Sequence, residues 1–135
     1  MTILQLLIQN PNIQMQTPLQ NKHIATKWFE AFNEHNLEKL LSLYSQTAQH
    51  YSPKLKIRLP ETQGLIKGKD ELRKWWQDSF NRIPSLKYEV VKLTADEKQV
   101  FMEYIRHADG DEDLKVGEEK KKKNGVIVFS RVYHG

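Results

Sequence analysis

From Ile24 onward the apolar positions recur with a helical period. Ile24, Trp28 and Phe32 lie four apart, with Ala25 and Phe29 beside them. One broad apolar face of this kind predicts an amphipathic helix laid on a core. Glu34-His35-Asn36 interrupts the pattern, and Asn36 suits the N-cap of a second short helix with Leu37, Leu40, Leu41 and Tyr44 facing inward. Ala48 to Tyr51 predicts a short strand that stops at Pro53. Between Ser52 and Gly68 the chain carries Pro53, Pro60, Gly64 and Gly68, which predicts a loop with a short extended piece at Lys56 to Leu59. A third helix is predicted from about Lys69 to Asn81. Leu72, Trp75, Trp76 and Phe80 keep helical spacing there, and Asp70 and Glu71 suit the positive end of the helix dipole.

After Pro84 the period drops from helical to alternating. Leu86, Tyr88 and Val90 alternate with Lys87, Glu89 and Val91, and a second alternating run covers Val100 to Arg106. Ala95-Asp96-Glu97-Lys98 and Asp109-Gly110-Asp111 mark turns. Asn124-Gly125 is the strongest local signal, a two-residue hairpin turn that needs positive φ at both positions. It joins Leu114–Lys123 to Val126–Tyr133, so the second half is a meander of four strands. Three helices followed by a meander predict an α+β domain, with the helices packed on one face of a curved antiparallel sheet. The inside of such a cone is a natural apolar pocket.

Residues 1 to 18 stand apart, with no charged side chain, many Gln and Asn, and two prolines. They are read as a flexible tail, and the domain then runs from residue 19 to 135. The alternative is an arm that packs its leucines on a partner subunit. Ile3 to Ile8 lacks the basic flank and small-residue cleavage site of a signal peptide. The 135 residues suit one domain. No apolar run is long enough for a bilayer helix, so no membrane partner is expected. With no cysteine the chain has no disulfide or thiolate-metal chemistry, which accords with a cytoplasmic setting. The net charge of +4 owes much to Lys120–Lys123 rather than to a basic face interleaved with aromatics, so no nucleic-acid partner is expected. These lysines alternate faces along a strand and are read as guards of an exposed sheet edge; a mouth attracting acidic ligands is the alternative.

The chain resembles the NTF2-like superfamily, and within it the SnoaL-like group that includes ketosteroid isomerases and polyketide cyclases. The resemblance covers about Ala25 to Gly135. It rests on Trp28-Phe29-Glu30-Ala31-Phe32-Asn33-Glu34-His35-Asn36, Leu43-Tyr44, Ala48-Gln49-His50-Tyr51-Ser52-Pro53, and Gly68 ahead of Asp70-Glu71-Leu72. It closes with Ile83-Pro84-Ser85-Leu86, Asn124-Gly125-Val126-Ile127-Val128 and Arg131-Val132-Tyr133-His134. The resemblance implies a homodimer paired through the sheets. The isomerases carry a tyrosine near Trp28 and a catalytic aspartate where this chain has Ser52, a poor base, so steroid-isomerase chemistry is not expected. The resemblance also implies an acid on the strand before the Asn-Gly turn, where Glu118 falls. The cyclases pair such an acid with a histidine on the preceding strand, for which His107 is the nearest residue.

Glu118, His134 and His50 are therefore the candidate catalytic residues. Alternation sends either Glu118 or Glu119 inward. Burial would raise the Glu118 pKa and suit it to proton transfer, whereas outward it would be a surface glutamate paired across the hairpin. His134 shares a face with Val132 and Ser130 and is either an acid/base near neutral pH or a rim residue. His50 shares a face with Ser52; a nucleophilic pair would need an orienting group and an oxyanion hole, so a polar wall is expected. In a cone the core and the pocket wall are one layer. Trp28, Phe32, Tyr44, Ser52, Trp75, Phe80, Tyr104 and Val132 are thus the expected ligand-touching residues. No metal-ligand spacing and no cofactor motif is present. The expected function is binding of a small, largely apolar molecule, with cyclase, isomerase or hydro-lyase chemistry on it. The alternative is a non-catalytic carrier or interaction module.

Overall fold

A computed structural model describes residue 2 and residues 16–134. Helix α1 (Pro18–Asn33) starts at a capping box. The Thr17 hydroxyl accepts from the Gln20 amide, and the Gln20 side chain accepts from the Thr17 amide. Proline at the first helical position costs nothing there, because its missing N–H would have had no helical partner. The helix thus begins just inside the stretch read as a tail. The rest of that stretch, residues 1 and 3–15, lies outside the described residues. His35 adopts positive φ to end α1, and Asn36 caps α2 (Leu37–Leu41) as expected. Tyr44 is not on this helix: α2 stops at Leu41, and Tyr44 opens strand β1 (Tyr44–Tyr51).

The segment read as a loop is structured. Ser52 caps a short helix α3 (Pro53–Arg58), where an extended piece was expected. A 3-10 turn (Pro60–Thr62) and strand β2 (Leu65–Lys67) follow. Helix α4 (Lys69–Arg82) matches the expected third helix. The meander is β3 (Lys87–Ala95), β4 (Gln99–His107), β5 (Leu114–Lys123) and β6 (Val126–His134). Asn124 and Gly125 both have positive φ in the turn between β5 and β6.

The strands form a sheet in the order β2-β1-β6-β5-β4-β3. It is mixed rather than wholly antiparallel, because β1 runs parallel to β6. A parallel neighbour needs a long crossover, and here all of the chain between β1 and β6 supplies it. Register shifts in the β1–β6, β3–β4 and β5–β6 pairs bend the sheet. Strand β5 is interior, so Lys120–Lys123 guards no edge; the edges are β2 and β3.

The inner face carries Val100, Met102, Tyr104 and Arg106 from β4, Val116, Glu118 and Lys120 from β5, and Ser130 and Val132 from β6, all buried. Helices α1 and α4 cover it with Trp28, Phe29, Phe32, Leu72, Trp76 and Phe80. Trp28, Phe32 and Tyr88 stack with ring centroids 4.0 to 6.0 Å apart. Burying aromatic rings in such offset and edge contacts is the main stabilising term of the helix–sheet interface.

Candidate functional site

Strand registry brings the polar groups of the inner face together. Lys120 pairs across to Val100 on one side and to Ser130 on the other, and Ser130 pairs across to His50. One row of the sheet therefore carries Lys120, Ser130 and His50. The next row carries Met102, Glu118 and Val132. Glu118 and Lys120 sit two apart on one strand, so the pleat points both the same way.

Alternation turns Glu118 inward, where it is 1% exposed, and Lys120 beside it is fully buried. The Lys120 ammonium is bonded to Glu118 Oε2. It donates also to the Tyr44 hydroxyl at 3.1 Å and lies 4.0 Å over the Trp28 ring. The Tyr104 hydroxyl donates to Glu118 Oε1 at 2.8 Å. Burial alone would raise the Glu118 pKa, as expected from sequence. Lys120, His50 and the Tyr104 hydroxyl outweigh it, and the carboxyl is held below its ordinary value. The expected upward shift is thus reversed by a cation that the four-lysine run concealed. Lys120 responds in kind: burial lowers its pKa, but Glu118 and Tyr44 raise it above the ordinary lysine value. The two groups form a charged pair at neutral pH.

His50 is buried, and its Nδ1 lies 2.6 Å from the Ser130 hydroxyl. Burial lowers its pKa to about 4, with the pull of Glu118 only partly opposing. It is a neutral imidazole at pH 7. The Tyr104 phenol is pushed well up by burial and by Glu118, and stays protonated.

Glu118, His50 and Tyr104 open on a cavity of about 450 Å³ between the sheet, α1, α3 and α4. Its buried floor includes His50, Tyr104, Glu118 and Val132, and its aromatic walls are Trp28, Phe32, Trp75, Trp76 and Tyr88. His134 and Ser52 also line it. Six of the eight expected ligand-touching residues therefore face the cavity. Tyr44 does not: the hydrogen bond it accepts from Trp28 Nε1 at 2.8 Å, together with the Lys120 bond, holds it behind the wall. Phe80 does not either, because it packs edge-on to Phe32 and stacks on His35, between the helices.

The three catalytic candidates share the cavity, but not as bonded partners. Ser52 spends its hydroxyl on the Lys54 amide as the N-cap of α3, so no Ser52–His50 pair exists. His134 is partly exposed at the end of β6, and its pKa is lowered by burial and by Lys54 and Arg106. His107 is elsewhere, bonded to Glu89 and Asp113 at the surface. The Trp28 indole points its N–H at Tyr44, so it offers no donor to a ligand oxygen. Tyr88 and Arg106 were not singled out in the sequence, and Lys120 was read only as part of the Lys120–Lys123 run. The alternation that turns Glu118 inward carries Lys120 with it, and Arg106 continues the Val100, Met102, Tyr104 face.

The SnoaL-like domain family matches residues 25–134. The chain belongs to that family. Its fold is that of solved SnoaL-like and NTF2-like structures. A SnoaL-like protein of unknown function from Burkholderia thailandensis superposes with a TM-score of 0.81 at 22% identity, over 90% of this chain and 99% of that one. A candidate ketosteroid isomerase from Kribbella flavida gives 0.73 at 20% identity, over 90% and 82%. A candidate polyketide cyclase from Sinorhizobium meliloti gives 0.70 at 13%, over 82% and 94%. At these identities the likeness is one of fold. No curated protein matches the chain. Among the described residues, no helix is long and apolar enough to cross a membrane.

Proposed function

We propose that this SnoaL-like domain binds a small, largely apolar molecule in the cone cavity and uses Glu118 to take a proton from a carbon beside a carbonyl of that molecule. The observation that carries the proposal is the Glu118 carboxyl on the floor of an aromatic-walled cavity, bonded to the Tyr104 hydroxyl and the Lys120 ammonium. Cyclisation, isomerisation and elimination of water can all begin with the same step. The C–H bond breaks, its proton passes to Glu118, and its electron pair becomes an enolate. The Tyr104 hydroxyl is then free to donate to the enolate oxygen. The carboxyl of Glu118 returns the proton to the same or another carbon. Held at low pKa, Glu118 suits an acidic carbon, such as one between two carbonyls, better than a simple ketone.

A carrier role is the second reading. Both Glu118 oxygens already have partners, Tyr104 and Lys120, which favours a wall that only positions a ligand. Exchange of the C2 hydrogens of ethyl benzoylacetate, which lie between two carbonyls, into deuterated water, followed by NMR, separates the two. The wild type is expected to accelerate exchange, and Glu118→Gln is expected to lose that acceleration. A wild-type rate equal to that of Glu118→Gln removes the acid/base reading and leaves the carrier. The outer face of the sheet supports pairing with a second copy, since Val91, Phe101, Ile105 and Tyr133 line a shallow groove there.

A further inference from the structure

The floor of the cavity is electrically balanced, because Lys120 neutralises Glu118. The rim is not. The accessible lining residues include Lys54 and Arg58 on α3 and Arg82 at the end of α4, with buried Arg106 just inside. Two carboxylates answer these four cations. Asp78 is shared by Arg58 and Arg82, at 3.0 and 2.8 Å, and Asp111 reaches Arg106 at 3.3 Å. The rim keeps an excess of positive charge.

Two of these cations are unusual. The Arg106 side chain is 8% exposed, yet that one long contact with Asp111 is its sole protein hydrogen bond among the described residues. A guanidinium has five N–H donors in a fixed fork, and here most of them have no protein partner among the described residues while the side chain lines the cavity. Lys54 lines the same side, half-buried, and has no ion-pair partner among the described residues. Burying cations without partners is costly. The two cations crowd each other with like charge, and both disfavour a proton on His134 beside them.

We propose that this rim selects an apolar molecule bearing one anionic group, such as a carboxylate. Arg106 and Lys54 hold the anion, and the aromatic walls take the apolar body. The inference rests on the reading of the cavity as a ligand site and narrows the ligand class. Ile57, on the same helix as Lys54, is 79% exposed and lines the rim, where an apolar body would cross it. A bound ligand therefore has its anion at the entrance and its far end toward Glu118.

The test is a matched pair of fluorescent probes. 8-Anilinonaphthalene-1-sulfonate and N-phenyl-1-naphthylamine share one apolar body and differ in the sulfonate. All three tryptophans line the cavity, so energy transfer from them reports a bound probe, and the response to the rim variants assigns it to this site. The anionic probe is expected to bind the tighter of the two, with the gap closing as salt rises. Lys54→Gln with Arg106→Gln should weaken the anionic probe about tenfold and leave the neutral probe unchanged. Asp111→Asn, which removes a competing carboxylate, should tighten the anionic probe. Equal affinity for the two probes in the wild type, or equal losses for both in the double variant, overturns the anion proposal while the pocket reading stands. Failure of both probes to take energy from the tryptophans overturns the two together.

Discussion

Replacing Lys120 by methionine keeps most of its volume and removes its charge. The partner carboxylate, Glu118, is then left at 1% exposure with only the Tyr104 hydroxyl for support. An uncompensated charge at such a site costs about 3–5 kcal/mol. Glu118 has an escape, since it can take up a proton on folding. For a carboxyl with an ordinary pKa of 4.5, protonation at pH 7 costs 2.5 pH units, or about 3.4 kcal/mol. That caps the charge part of the loss. The lost contact of Lys120 over the Trp28 ring adds up to about 2 kcal/mol.

The sign of the pH dependence follows. In Lys120→Met the folded pKa of Glu118 lies above its unfolded value. The loss is therefore small near pH 4.5 and grows by about 1.4 kcal/mol per pH unit as pH rises through the neutral range. Urea unfolding at pH 5, 6, 7 and 8 measures it. Glu118→Gln with Lys120→Met removes both charges and should recover most of the stability, with no such slope. A Lys120→Met loss that is flat in pH, or a double variant whose loss is the sum of the two single losses, would refute a charged pair at this site.

Two further outcomes test other parts of the structure. His50 is buried as a neutral imidazole with its pKa depressed from 6.5 to about 4, so the wild type should lose up to about 3 kcal/mol as pH falls through that window; in His50→Gln that slope should vanish, and an unchanged slope would show that His50 does not titrate there. Tyr133, an exposed ring on the outer sheet face beside Phe101, is expected to lie in a self-contact; Tyr133→Glu should convert a dimer to a monomer by light scattering, and a monomeric wild type would sink that expectation.

Much of the frame was legible because it depends on local rules. The helical spacing of Trp28, Phe32 and their neighbours marks α1, and Asn124-Gly125 marks its hairpin through backbone φ alone. What escaped was signal masked by composition. Four consecutive lysines read as guards of a sheet edge, although β5 is interior and its alternation buries Lys120. Pro53, Pro60 and two glycines read as a loop, although Ser52-Pro53 is also an N-cap followed by proline at the first helical position. Thr17 and Gln20 were a capping box ahead of the apolar period, and they set the start of α1. Tyr44 and Phe80 were misplaced for another reason. Whether an aromatic side chain faces a cavity or the layer behind it depends on its hydrogen-bond and ring partners, and no spacing encodes those.

The buried pair bears on function through its energy. Well-packed apolar residues at positions 118 and 120 would serve the fold about as well or better, by about 1–4 kcal/mol in comparable buried pairs. Glu118 and Lys120 are therefore poorly explained as stabilisers. They are better explained by what a pair does when a proton moves. If Glu118 takes a proton from a bound molecule, the negative charge passes from the carboxylate to the ligand, a short distance across the floor of the cavity. Lys120, bonded to Glu118 from behind the cavity wall, stays charged in both states, so the wall need not reorganise. The Tyr104 hydroxyl can follow the charge from one oxygen to the other. A lone carboxylate of raised pKa would be the stronger base but would leave the enolate unsupported. On the proposed proton-transfer reading, the low Glu118 pKa and the retained lysine are one arrangement, in which base strength is exchanged for support of the anion that would form.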